Sequence, residues 1–209
     1  MRIGVDLDNT IIRYEALFQR VAREWRWIGP EIPPSKEDVK RHVMGTRGND
    51  AWTELQAEVY GPRLLEAEAF PGVEEFFAES GTRGDEVCVI SHKTRFPARG
   101  VRCDLRIAAL SWLEHHGWFD SRRGRFSRNA VEFCDTRAAK VAAIRRRGCE
   151  VFVDDLPEVF AEPGFPLATR KVLFDPSGVR HTGAEVVRAA TWKEIAERMA
   201  ALAREARCA

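Results

Sequence analysis

Arg2-Ile3-Gly4-Val5-Asp6-Leu7-Asp8-Asn9-Thr10 is the segment from which the architecture of this chain can be worked out. Its alternating apolar residues predict a short buried β-strand that carries two carboxylates, Asp6 and Asp8, to its end. In a parallel α/β sheet, ligands bind at the carboxyl ends of the strands. Two neighbouring carboxylates repel each other and favour a cation between them, which predicts a hard, oxygen-liganded ion such as Mg²⁺. By itself the pair also fits a strand that ends in an Asx-type turn.

The segment that follows predicts a helical insertion. Apolar residues recur at helical spacing over 14–28, Ser35 is a candidate N-cap for a helix to about Met44, and a third helix begins near Trp52 after a polar loop at 45–50. An insertion of this length is too long for an ordinary βα connection. We therefore expect a helical cap at 13–69 and a core domain formed by 1–12 and 70–209.

The rest of the chain alternates between strands and helices. Apolar runs predict strands at 86–90, 130–134, 150–153 and 171–174. Helices are predicted from Pro71 to about Gly81, from Asp104 to His116 and from Arg137 to Arg147, and the capping box of Thr191 and Glu194 opens a last one. Such alternation predicts a Rossmann-like, doubly wound parallel sheet of the α/β class.

Polar residues follow the predicted strands where a site would form. Ser91 ends the second strand, Lys140 lies in the first turn of the helix after the third strand, and Asp154-Asp155 ends the fourth. A cation at a helix amino terminus does not complement the dipole and favours an anionic partner. Unpaired carboxylates are costly to bury, which favours a cation near the aspartates. An ordinary turn serine, a solvated lysine and a polar turn are the respective structural alternatives, and Lys93 competes with Lys140.

Together these residues resemble the four motifs of the haloacid dehalogenase superfamily of phosphohydrolases. Val5-Asp6-Leu7-Asp8-Asn9-Thr10 matches the first motif, in which apolar residues precede D-x-D-x-T, and the other three parts follow in the same order. The short spacing between Lys140 and the acidic pair is loosely similar to that of the 5′(3′)-deoxyribonucleotidases. The resemblance implies a Mg²⁺-dependent phosphatase that hydrolyses a small phosphate monoester through an aspartyl-phosphate.

The resemblance also implies the roles of the site residues. Asp6 is the nucleophile, Asp8 the general acid and base, and Ser91 and Lys140 stabilise phosphoryl charge. The metal ligands implied are Asp6, the backbone carbonyl of Asp8 and the acidic pair, with Asp155 favoured over Asp154 for direct contact. The candidates for substrate binding are Asn9, Thr10, Arg47, His92, Lys93 and Arg95, of which the last four are equally compatible with plain solvated side chains.

The amino-acid composition limits which classes of binding partner are expected. The 33 basic and 32 acidic residues nearly cancel, so a small phosphorylated metabolite is expected rather than a nucleic-acid polymer or a membrane. Five cysteines without C-x-x-C spacing, and no signal peptide, predict a reduced, cytoplasmic protein. A phosphomutase or phosphotransferase that uses the same aspartate, or a catalytically silent binding module, remains open, as does the oligomeric state. A receiver-like domain is disfavoured by the insertion.

Overall fold

The computed structural model describes residues 1–120, 126–180 and 183–208. The chain divides into two units. The first consists of Met1–Ile11, Ala69–His92 and Trp118–Ala209, and the second of Ile12–Glu68 and Lys93–Gly117. None of the described helices is both long and apolar enough to cross a membrane.

A six-stranded parallel sheet organises the first unit, in the order β5-β4-β1-β6-β7-β8. The first strand is central, because Val5 lies opposite Val89 on one side and Val153 on the other. A separate two-stranded sheet joins β2 and β3. The strands are β1 Arg2–Val5, β2 Ile12–Arg13, β3 Glu68–Ala69, β4 Glu86–His92, β5 Val131–Cys134, β6 Val151–Asp154, β7 Arg170–Phe174 and β8 Val186–Ala189.

Helices lie in the connections between strands of the parallel sheet as far as β7, and a last helix follows β8. Those described are α1 Glu15–Glu24, α2 Lys36–Tyr60, α3 Val73–Arg83, α4 Leu105–His115, α5 Arg137–Arg146, α6 Pro157–Phe160 and α7 Trp192–Cys208. Short 3₁₀ helices occur at Leu64–Glu66 and Arg128–Ala130.

Both faces of the sheet are covered by apolar side chains. Successive residues of a strand point to opposite faces. Leu173 belongs to the buried cluster that includes Phe152 and Ile144 of α5. Its neighbour Phe174 contacts Trp192 of α7, with the ring centroids 5.7 Å apart. This two-sided burial explains why the strands are nearly continuous apolar runs.

The second unit has its own aromatic core. Tyr14 precedes α1, Phe18 lies within it, and Tyr60 is the last residue of α2. The rings of Tyr14 and Tyr60 meet edge to face, with their centroids 4.7 Å apart. Phe18 stacks on Trp52 at 5.0 Å. These contacts use the helical spacing of the aromatic residues that the sequence shows over this segment.

The α/β fold with a parallel sheet is confirmed, and several elements differ from the prediction, two of them for clear physical reasons. The edge strand β8 was not predicted, because Val186–Ala189 is short and its central residues are exposed, which leaves no apolar run. The predicted loop at 45–50 is helical except at Gly48, whose φ of 85° and ψ of 176° kink α2. A glycine adopts this conformation without steric cost, so the helix resumes after one residue.

The segment 93–117, which the sequence placed with the core, clusters with the second unit. Its helix α4 packs against the 3₁₀ helix Leu64–Glu66, and Trp112 donates its indole N–H to the carbonyl of Ala67 at 2.8 Å. An amphipathic pattern shows that one face of a helix is buried, but it does not identify the surface that buries it.

Candidate active site

The loop after β1 holds Asp6 at the carboxyl end of the central strand. The backbone N–H of Asp6 donates to the carbonyl of Val153 at 2.9 Å, which extends the pairing with β6 by one residue. Beyond it, the N–H of Ile11 donates to the carbonyl of Leu7 at 2.9 Å and closes a tight turn. Asn9 provides the left-handed backbone that this turn requires, with a φ of 58°.

Lys140 bridges two of the predicted carboxylates. Its ammonium lies 2.6 Å from Asp6 Oδ1 and 2.6 Å from Asp154 Oδ2. Lys140 is only 1% exposed, and Thr136 caps the helix that carries it by accepting from the N–H of Ala139. The lysine beside Asp6 is therefore Lys140.

Burial makes the charges of this cluster interact strongly. The pKa of Asp6 is raised to about 7, chiefly by burial; the positive charge of Lys140 opposes this shift, and the charges of Asp154 and Asp8 add to it. For Lys140, burial favours the neutral form, but the carboxylates of Asp154 and Asp6 outweigh this effect and raise its pKa above the ordinary value. Lys140 thus stays charged, while Asp6 titrates near neutral pH.

Three buried carboxylates form a group that suits a hard cation. Asp6, Asp154 and Asp155 each offer an oxygen, and these oxygens lie within 4.8 Å of one another. Oxygen-only carboxylate ligands are those that Mg²⁺ binds, so the donor set fits the predicted metal. The carboxylate of Asp8 is not part of the group, and the expected ligation by its backbone carbonyl stays a prediction.

Each member of the acidic pair has a partner that fixes it. Asp154 accepts the N–H of Leu156 at Oδ1, 3.0 Å away, and Lys140 at its other oxygen. Asp155 accepts the guanidinium of Arg180 at Oδ2, 3.2 Å away. Lys140 and Arg180 therefore partly neutralise the acidic group from within the protein.

Arg180 was not predicted from the sequence. It belongs to the turn after β7, which is ordered by Asp175: this carboxylate accepts from Ser177 Oγ, from the N–H groups of Gly178 and Arg180, and from Arg188. Asp-Pro-Ser-Gly is a recognisable turn sequence. It signals a turn after Phe174, but not that the turn would bring a guanidinium to Asp155.

Two buried hydroxyls, one near the carboxyl end of β4 and one in the loop after β1, have no hydrogen-bond partner among the described residues. They are Ser91 Oγ and Thr10 Oγ1, whose residues are 1% and 0% exposed. A buried hydroxyl without a partner costs free energy. Such groups are available to a ligand that brings its own donors or acceptors. The phosphate-binding role of Ser91 and the substrate role of Thr10 stay predictions.

The remaining predicted residues have other described contacts. His92 contacts the carbonyl of Asp135 through Nε2 at 3.1 Å, and Asn9 forms the turn described above. The other three belong to the second unit. The guanidinium of Arg47 lies 5.1 Å from the ring centroid of Trp27, and the ammonium of Lys93 lies 5.2 Å from that of Tyr60. Arg95 forms an ion pair with Asp104 at 2.7 Å.

Comparison with known proteins identifies the fold. No protein-family model and no curated protein matches the sequence. Solved structures do match over nearly the whole chain. YfnB from Bacillus subtilis, a haloacid dehalogenase-type hydrolase bound to magnesium, is 13% identical with a TM-score of 0.58, covering 95% of this chain and 97% of that one.

Two further structures show the same likeness. A haloacid dehalogenase-type phosphatase from Thermococcus onnurineus is 15% identical with a TM-score of 0.51, over 95% of this chain and 97% of that one. A structure assigned as a β-phosphoglucomutase from Thermotoga maritima is 14% identical with a TM-score of 0.54 over the same shares. The chain thus has the fold of the haloacid dehalogenase-type hydrolases.

Proposed function

We propose that this protein is a Mg²⁺-dependent phosphatase that hydrolyses a small phosphate monoester through an aspartyl-phosphate on Asp6. The observation that carries the proposal is the bridge of Lys140 between Asp6 and Asp154, inside a buried group of three carboxylates. A structural ion pair needs one partner, whereas this ammonium is shared between the candidate nucleophile and a candidate metal ligand.

The residues divide the reaction between them. Asp6 attacks phosphorus with a carboxylate oxygen, and the leaving alkoxide takes a proton from Asp8. Asp8 then removes a proton from the water that hydrolyses the acyl-phosphate, so it serves as acid and base in turn. Lys140 holds Asp6 in place and offsets its charge as the anionic phosphoryl group approaches. The hydroxyl of Ser91 donates to a phosphoryl oxygen.

A bound Mg²⁺ would be held by Asp6, Asp155 and Asp154, with the backbone carbonyl of Asp8 as the further expected ligand. It would supply positive charge for the phosphoryl oxygens, which is the main form of catalysis available in phosphoryl transfer. Because the ion needs the carboxylate forms, its binding also draws Asp6 into the ionised state that attacks.

The first experiment measures hydrolysis of an aryl phosphate, then of nucleotides, sugar phosphates and phospho-acids, with Mg²⁺ or with EDTA. We expect activity that requires the metal and is lost in Asp6→Asn. The matched control is Asp85→Asn, which removes another buried, ion-paired aspartate that contacts Arg83 and the amino terminus. Loss in both variants would indicate a folding defect. Silence of the wild type on the whole panel, without Mg²⁺ binding, would refute the proposal in favour of a binding module. Phosphoryl transfer without release of phosphate would instead identify a mutase.

Ser91→Ala gives a second, independent test. Because Ser91 Oγ makes no hydrogen bond to a described residue, its removal should leave the free energy of unfolding unchanged or raised. Loss of a donor to the transition state should lower kcat about 10²-fold. The control is Thr169→Ala, since Thr169 Oγ1 donates to the carbonyl of Cys149 at 2.6 Å and its loss should cost stability but not kcat. A normal kcat in Ser91→Ala would exclude Ser91 from the site.

A further inference from the structure

We propose that Cys88 and Cys149 form an oxidation site in which a hydroperoxide reacts at Cys88 and Cys149 then closes a disulfide. Cys88 lies within β4, and Cys149 lies in the turn between α5 and β6. Their sulfur atoms are 3.9 Å apart. Cys88 is paired in register with Gly4 of β1, the strand that separates β4 from β6.

Gly4 is what allows the two sulfurs to approach each other across a strand. A Cβ at this position would lie 2.8 Å from Cys149 Sγ and 2.5 Å from the ring of Phe152. Both distances are shorter than the contacts that Cβ atoms make with non-bonded heavy atoms in proteins. Any side chain at position 4 would therefore displace Cys149 from the space beside Cys88. The glycine leaves the path between the two thiols open.

The two thiols differ in access. A cavity of about 500 Å³ is lined by Cys88 together with Arg2, Arg147 and Ser127. Cys149 is only 4% exposed and does not line it. A small oxidant in this cavity therefore meets the sulfur of Cys88 first, with Cys149 behind it.

The two thiols also differ in protonation. The hydrogen bond from Cys149 lowers the pKa of Cys88, burial opposes this effect, and the positive charge of Arg147 adds to it. The same hydrogen bond raises the pKa of Cys149, and burial raises it further. Cys88 is thus the more readily ionised of the two thiols. A thiolate that is partly exposed beside a cation is the form of cysteine that reacts.

The chemistry balances with a hydroperoxide as the oxidant. The Cys88 thiolate attacks a peroxide oxygen, an S–O bond forms, the O–O bond breaks and hydroxide (or alkoxide) leaves. Cys149, losing its proton to that base, then attacks the sulfenic sulfur: the S–S bond forms, the S–O bond breaks and the oxygen leaves as hydroxide. The sulfurs lose two electrons and the peroxide gains them. The S–S distance must close from 3.9 Å to about 2.05 Å.

The test uses the full-length protein with hydrogen peroxide and peptide mapping by mass spectrometry. The wild type should lose about 2 Da, with the loss assigned to a peptide pair that joins Cys88 to Cys149 and regained with dithiothreitol. Cys149→Ser should stop at a sulfenic acid that dimedone traps on Cys88. Cys88→Ser should give neither product at position 149. Cys103→Ser, at a thiol of the second unit, should behave as the wild type.

Dimedone labelling that falls on another cysteine before Cys88 would overturn the proposal. So would a disulfide that joins Cys88 to any cysteine other than Cys149, or a wild type in which Cys88 stays reduced. The wild-type map decides these outcomes even if a variant fails to fold. Since the reaction uses none of the aspartates and not Lys140, its result is independent of the phosphatase proposal.

Discussion

Replacing Lys140 by methionine removes the charge that the candidate active site is built around while keeping a long, unbranched side chain. In the wild type one buried ammonium is 2.6 Å from both Asp6 and Asp154, and Asp154 is 0% exposed. The variant leaves these two carboxylates buried without their shared cation. We expect the metal-free protein to lose stability.

The size of the loss follows from burial. Removing one partner of a buried ion pair typically costs about 3–5 kcal/mol. Lys140 also lowers the pKa of Asp6, so without it that pKa should rise above the wild-type value of about 7. Folded Asp6 binds its proton more tightly than the unfolded chain does, so stability falls with increasing pH until Asp6 ionises. The free energy of unfolding of the wild type stops falling near pH 7, whereas that of Lys140→Met continues to fall. The stability deficit of the variant is therefore about 1 kcal/mol larger at pH 8 than at pH 6.

Urea unfolding of both proteins in EDTA, at pH 6 and pH 8, measures this difference. The matched control is Lys171→Met, because Lys171 forms an ion pair of the same 2.6 Å length with Glu185, whose side chain is 72% exposed. That pair should contribute less than about 1 kcal/mol. Equal losses in the two variants, or a deficit of Lys140→Met that shrinks at pH 8, would refute the reasoning.

Other predictions concern the metal and the packing around the site. Because Asp6 has a pKa of about 7 and must be ionised to bind a metal, calorimetry should find Mg²⁺ affinity about tenfold weaker at pH 6 than at pH 8, and equal affinities would contradict this. Arg180→Gln removes a cation that lies 3.2 Å from Asp155, so Mg²⁺ should bind about threefold to tenfold more tightly, and weaker binding would show that Arg180 positions the ligand instead. Trp192→Phe leaves the buried carbonyl of Thr10 without its indole donor, 3.0 Å away in the wild type, and should cost about 1–3 kcal/mol in urea unfolding; unchanged stability would contradict it.

Much of the site could be predicted because its residues carry local signals. Asp6 and Asp154 end apolar runs, which indicates the carboxyl edge of a parallel sheet whatever the details of packing. Lys140 stands out as a cation at the positive end of a helix. Each signal depends only on a few neighbouring residues. The structure adds that Lys140 contacts both aspartates.

The rest depends on paths of the chain that local patterns do not encode. Arg180 reaches Asp155 only because Asp175 folds the intervening turn around its own carboxylate. The kink of α2 at Gly48 also escapes a periodicity argument, because one residue of different φ/ψ leaves the helical pattern on both sides nearly intact. Local propensity predicts elements, whereas long-range contacts decide which of them meet.

The central position of β1 has a consequence for how the protein comes into being. The strand that precedes Asp6 pairs with residues 86–89 and 151–153, which follow it in the chain, and the ammonium partner of Asp6 lies 134 residues further along. A ribosome-bound fragment that ends before β6 lacks Asp154 and lacks the strand that pairs with one side of β1. The acidic cluster therefore assembles only after β6 has left the ribosome, which couples the formation of the candidate site to the pairing of the central strands.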